Sequence, residues 1–136
     1  MPSLGTDRWL LAAGALVALT ATAGSLLLSE VWGLAPCDLC WYQRILMYPL
    51  VAVFGVALYE HRPGAYRTAF ALTVPGALVA GYHSWLQIFG DACTLGGGCV
   101  AVQYRLEPLG LTVPNLALLA FLLIAGIAAG LGTTAR

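Results

Sequence analysis

The reactive inventory of this 136-residue chain is small, and its centre is four cysteines arranged as two pairs. Cys37-Asp38-Leu39-Cys40 has the Cys-x-x-Cys spacing of dithiol redox sites. Three residues apart on a helical turn, two sulfurs can face one another and exchange between disulfide and dithiol. Pro36 fixes the backbone just before the pair and suits a helix start. A cysteine there has its thiolate stabilised by unpaired backbone N–H groups. Arg44 follows Cys40 by four residues and Cys37 by seven, so all three share one helical face. A thiolate beside a permanent cation suits electron or sulfur transfer, whereas inert packing has no need of it. An arginine at the edge of an apolar stretch is also costly enough to point to a site. Two plainer readings remain. Arg44 can reach back to the membrane surface along its aliphatic stem. Trp41, Tyr42 and Tyr48 can be interfacial aromatics.

The second pair closes Cys93-Thr94-Leu95-Gly96-Gly97-Gly98-Cys99, where three of the five intervening residues are glycine. Such a loop closes with little steric objection. Its ring is short, so a disulfide there would stabilise little of the fold. That favours an exchangeable bond, with a static loop clip as the alternative.

The elements that must position these residues follow from composition. Hydrophobic residues make up 60% of the chain and charged residues 9%, against about 25% charged in an ordinary soluble domain. That composition excludes a soluble globule, which has no polar coat to wear. It equally excludes a disordered chain, which needs low hydrophobicity and high charge. Six arginines balance six acids, with no lysine, so a charge-driven nucleic-acid binder is excluded too. The expectation is an all-α membrane protein, a single domain over residues 1–136.

A hydrocarbon core takes roughly 20 helical residues. The uncharged stretches place four spans, near residues 9–28, 41–59, 68–88 and 114–131. Pro49 and Pro75 fall inside spans, where neighbouring helices can satisfy the carbonyls they free. Thr112 followed by Pro114 reads as a helix start. Ala21-Thr22-Ala23 resembles a signal-peptidase site, but the apolar region before it is longer than a signal core of about 7–15 residues, so the first span is read as retained. Residues 100–106 are expected to lie as a short helix in the interface, with Arg105 and Gln103 toward water.

Arginine placement orients the bundle. Arg8, Arg62, Arg67 and Arg136 fall on one side, and only Arg44 and Arg105 on the other, which puts the termini and the middle link in the cytoplasm. All four cysteines then lie in two short extracytoplasmic loops, where disulfides can persist.

The run Pro36-Cys37-Asp38-Leu39-Cys40-Trp41-Tyr42-Gln43-Arg44-Ile45-Leu46-Met47-Tyr48-Pro49-Leu50 resembles the signature of the disulfide bond formation protein B family (DsbB, called BdbC in many Gram-positive-type bacteria). Tyr82-His83-Ser84-Trp85-Leu86-Gln87 is similar to that family's third helix, and Leu109-Gly110-Leu111-Thr112-Val113-Pro114 to the start of its fourth. The second cysteine loop is shorter than in the long DsbB form, as in BdbC-like members.

The resemblance implies a four-helix bundle in a bacterial inner or plasma membrane that reoxidises a thioredoxin-fold thiol oxidase, DsbA-like or BdbD-like. It thereby sustains disulfide formation, a chaperone role, in extracytoplasmic proteins. It implies electron flow from that partner to Cys93–Cys99, then to Cys37–Cys40, then to a membrane quinone, ubiquinone or menaquinone. Cys93 would form the mixed disulfide with the partner, and Cys99 would exchange with Cys37. Cys40 would be the thiolate facing the quinone, with Arg44 stabilising it. His83, near the end of the third span, can border the quinone or be a hydrogen-bonded histidine of the bundle. No haem, flavin or metal is required.

Two other classes compete. A vitamin K epoxide reductase-like enzyme shares the fold and quinone use, but its Cys-x-x-Cys sits on a later helix. A tetraspan protein with four cysteine ligands would suit zinc, but gives Arg44 no role; metal analysis separates it.

Overall fold

Backbone in an apolar surrounding must satisfy its own hydrogen bonds, and the uncharged stretches of this chain do so as long helices. The computed structural model describes residues 4–33, 38–89, 105–106 and 111–134. Helix α1 covers Leu4–Leu26 and passes into a π-helical segment, Leu27–Val31. Helix α2 covers Asp38–Glu60, and a short 3-10 turn, Pro63–Ala65, leads into α3, Tyr66–Phe89. A two-residue strand β1, Arg105–Leu106, pairs with β2, Leu111–Thr112, before α4, Val113–Thr134. The four expected spans are these four helices, and Pro49 and Pro75 sit inside α2 and α3 as expected.

Three of the helices are long and apolar enough to cross a membrane, over Gly5–Val31, Leu39–Glu60 and Pro114–Thr134. Helix α3 has the length, 24 residues, and is diluted in hydropathy by Thr68, Thr73, His83, Ser84 and Gln87. It runs back along α4 through the same thickness: Tyr66 lies against Gly132 near one end, and Phe121 against Gly76 further along.

Neighbours in sequence are neighbours in space. Helix α1 packs on α2, α2 on α3, α3 on α4, and α4 returns to α1, while α2 and α4 barely touch across the diagonal. The core between them is made of Leu11, Leu50, Phe54, Phe121, Ile124 and Leu131 with Ala18, Ala57, Ala69, Ala80 and Ala128. Small residues let backbones approach where lipid removes the hydrophobic drive for helices to associate. The two largest core rings each need a glycine opposite. Phe54 of α2 lies directly on Gly14 of α1, and Phe121 of α4 on Gly76 of α3, so a Cβ at either glycine would overlap the ring. Large side chains on the outside, such as Leu16, Ile45, Val56, Leu78 and Leu122, are exposed from the bundle. Among lipid tails that exposure carries no penalty.

One local expectation is corrected, and a second, the helix start at Thr112–Pro114, holds without the threonine cap. The interfacial helix expected over residues 100–106 is absent at its described end, where Arg105 and Leu106 pair antiparallel with Thr112 and Leu111. Pro108 and Gly110 stand between the two strands in sequence, and both residue types oppose helix. Thr112 does precede α4, but its hydroxyl is buried without a hydrogen-bond partner among the described residues. The helix start therefore rests on Pro114, whose ring presets the first-turn backbone, and not on a threonine cap. Cys37, Cys93 and Cys99, and with them most of both cysteine loops, lie outside the described residues.

Candidate functional site

Cys40 lies on the first turn of α2, half-buried, and Arg44 follows one turn later on the same face. The guanidinium is not simply reaching for solvent. Its Nη2 donates to the carbonyl of Ser25 on α1 at 3.2 Å, and its carbon sits 5.2 Å from the centre of the Trp41 ring. Trp41 thereby does more than border the membrane: it lies beneath the cation that follows it by three residues. Tyr48, another turn along α2, donates its hydroxyl to Ser25 Oγ at 3.2 Å. Ser25 therefore receives two α2 side chains, one on its carbonyl and one on its hydroxyl.

Ser25 occupies a special place in α1. It stands two residues before the π-helical segment, and its carbonyl also accepts from Ser29 Oγ at 3.3 Å. Single π-turns are frequent at functional sites. Here the segment ends the helix beside the residue that holds Arg44.

From the other side of α2, Gln43 reaches α3. Its Nε2 lies 2.9 Å from Nδ1 of His83, and both residues are buried, at 6% and 2% exposure. Consecutive residues of α2 thus point to opposite neighbours, Arg44 to α1 and Gln43 to α3. Next to His83, the Ser84 hydroxyl is buried without a partner among the described residues. Tyr82 and Trp85 stack at 6.2 Å on the outer face of the same stretch, and Phe89 continues the row at 6.0 Å from Trp85.

The result is a polar layer through α1, α2 and α3 at the bundle end that carries Cys40. Intramembrane polar side chains are expensive and mark sites by default. Of the site residues expected from sequence, the structure brings Cys40, Arg44 and His83 to this end; Cys37, Cys93 and Cys99 are outside the described residues. Ser25 carries no sequence signal, because a serine near the end of a span is unremarkable by itself. Gln43 carries a weak one, as an amide inside an apolar span.

Comparison with known proteins gives this end a family. The family described as "Disulfide bond formation protein DsbB" matches residues 7–131. The Disulfide bond formation protein C of Bacillus subtilis (strain 168) is 40% identical over 113 residues, 79% of this chain and 81% of the relative. A Probable disulfide formation protein of Metapseudomonas resinovorans is 38% identical over 116 residues, 81% and 80% of the two chains. A Probable disulfide formation protein C 2 of Bacillus cereus (strain ATCC 10987 / NRS 248) is 35% identical over 113 residues, 80% and 81%. No solved structure matches. With a match that runs through all four helices and includes the Cys40–Arg44 turn and His83, this multi-pass membrane chain belongs to the DsbB family of disulfide bond formation proteins.

Proposed function

We propose that this protein is a membrane thiol:quinone oxidoreductase that reoxidises a thioredoxin-fold thiol oxidase of the DsbA or BdbD kind. The net reaction takes two electrons and two protons from the partner's dithiol, leaving a partner disulfide and a reduced quinone. The observation that carries the reading is the end of α2, where Cys40 is followed one turn later by an anchored guanidinium, and Gln43 between them meets a buried imidazole on α3. The names of the relatives, which speak of disulfide formation, support the same chemistry.

The exchange steps balance within the four cysteines. A partner thiolate attacks Cys93, breaking Cys93–Cys99 and releasing Cys99 as thiolate. The partner's second thiolate closes its own disulfide and frees Cys93. Cys99 attacks Cys37, so that Cys40 leaves as thiolate. Cys93 then attacks Cys99, restoring Cys93–Cys99 and freeing Cys37. Each attack needs an ionised, accessible sulfur, and Arg44 keeps Cys40 in that form at the end of the sequence.

The polar layer fits a quinone. Arg44 at the α1–α2 seam and His83 on α3 are the N–H-bearing side chains of this layer, the donor type that carbonyl oxygens on a flat apolar ring take. When bound, the quinone, ubiquinone or menaquinone, supplies a two-electron, two-proton acceptor. Arg44 and His83 would be the residues that donate to its oxygens, Ser25 and Trp41 hold Arg44, and Cys37–Cys40 would re-form as the electron pair leaves.

Reconstitution tests the reading. In lipid nanodiscs with quinone and a reduced thioredoxin-fold partner, one quinone is expected to be reduced for each partner disulfide formed. A partner that stays reduced overturns it. The arginine bias puts the termini inside and the cysteines outside the cytoplasm. A membrane-impermeant thiol reagent is therefore expected to label the reduced cysteines in intact spheroplasts; labelling only after permeabilisation reverses the orientation.

A further inference from the structure

We propose that Gln43 is a positioning residue: its side-chain amide fixes the tautomer of His83, keeping Nδ1 unprotonated and the ring proton on Nε2. The geometry is the Nε2 to Nδ1 contact of 2.9 Å between two buried side chains on adjacent helices. An amide nitrogen can donate but not accept, so Nδ1 must be the acceptor. A ring whose Nδ1 accepts is a neutral imidazole, and its one hydrogen sits on Nε2. The hydrogen bond on one nitrogen thus sets what the other can do, as it does for histidines that bind metals.

The consequence concerns the donor set. Residues 43 and 44 are consecutive on α2 and turn to opposite neighbours, Gln43 to His83 on α3 and Arg44 to Ser25 on α1. One turn of helix thereby fixes two proton positions, one on the guanidinium and one on Nε2 of His83. Neither group has to change tautomer when a polar group meets it, which is the preorganisation that makes fixed dipoles effective in an apolar site. This functional half rests on the quinone reading above; the tautomer does not.

The chain has two histidines, so one substitution isolates the signal. His61 is exposed with a positive φ of 55°, and His61→Asn keeps a residue that tolerates that backbone. In this background, 15N-imidazole spectra in nanodiscs without added quinone read His83 alone. The expected spectrum has a pyridine-type Nδ1 and a pyrrole-type Nε2. Gln43→Glu, nearly the same in shape, presents a carboxylate acceptor and is expected to move a proton onto Nδ1. Gln43→Leu is expected to leave a mixture of tautomers and to raise the quinone KM about tenfold, with a smaller change in kcat, the size of one buried hydrogen bond.

A protonated Nδ1 in the natural chain overturns the proposal, and that spectrum needs no variant at position 43 to fold. So does an unchanged tautomer in Gln43→Leu. A shifted tautomer with an unchanged KM removes the positioning role. Failure of the unsubstituted protein to reduce quinone defeats the functional reading and leaves the tautomer to be judged by the spectrum.

Discussion

With Cys40 replaced by serine, oxidation of every dithiol, protein or small molecule, is expected to fall to the uncatalysed rate. With Cys93 and Cys99 both replaced, only the protein substrate is expected to be lost. The asymmetry follows from the order of the pairs. A hydroxyl cannot form the disulfide that stores the electron pair, and at neutral pH it is not the thiolate that exchange demands. Cys40 stands on the first turn of α2, at the polar end of the bundle, and in the proposed order every electron pair passes through it. In the proposed order the Cys93–Cys99 pair serves the partner, and a small dithiol is expected to reach Cys37–Cys40 without it. The measurement is quinone reduction by a reduced thioredoxin-fold partner and, separately, by dithiothreitol. Cys40→Ser is expected to be silent in both assays. The double variant is expected to be silent in the first and slow but active in the second. Normal partner turnover by the double variant would remove the second pair from the pathway. The substitutions are conservative in size, and a folded detergent-solubilised bundle is the control.

The second large effect is expected at Arg44. Its guanidinium is tethered to the Ser25 carbonyl at 3.2 Å and rests on Trp41, so its charge is held in place and not left to wander on a flexible stem. Arg44→Ala removes that charge together with a charge-assisted donor. Such a bond contributes about 1.5–3 kcal/mol, which translates to roughly a ten- to hundredfold higher quinone concentration for half-maximal turnover. Alkylation of Cys40 at neutral pH is expected to slow at the same time, because the thiolate loses its neighbouring cation. Arg44→Lys is expected to recover part of both, since an ammonium keeps the charge but not the planar fork. Tyr48→Phe is the structural comparison, as it removes the other α2 bond to Ser25 and leaves the cation in place. Wild-type behaviour of Arg44→Ala in both assays would make Arg44 an anchor only.

Much of the architecture was legible because the membrane imposes one rule on the whole chain. The uncharged runs had to be helices, and each expected span overlaps a helix within a few residues at either end. Cys40 and Arg44 were legible together because four residues on a helix make one turn, whatever the helix packs against. The interfacial helix expected over residues 100–106 fails at its described end, Arg105–Leu106, for the opposite reason. Its apolar alternation has no membrane-length constraint behind it, and strand pairing with Leu111–Thr112 competes locally.

His83 shows where sequence reading divides. Its place near the end of a span was plain, and both roles considered for it were reasonable. The partner was not readable, because Gln43 lies 40 residues away on another helix and nothing in their spacing links them. The same is true of Ser25, whose bonds to Arg44 and Tyr48 join α1 to α2.

The sequence by itself determined the class, the four helices, four cysteines as the chemical inventory and the cation one turn beyond Cys40. Those are consequences of composition and helical periodicity, which act along the chain. Tertiary structure decided which neighbour each polar side chain meets: Arg44 turned to Ser25 beside a π-helical end, Gln43 turned to His83, and Phe54 and Phe121 seated on Gly14 and Gly76. Those contacts depend on the rotation and depth of each helix against the next. Packing sets both, and no local pattern encodes them.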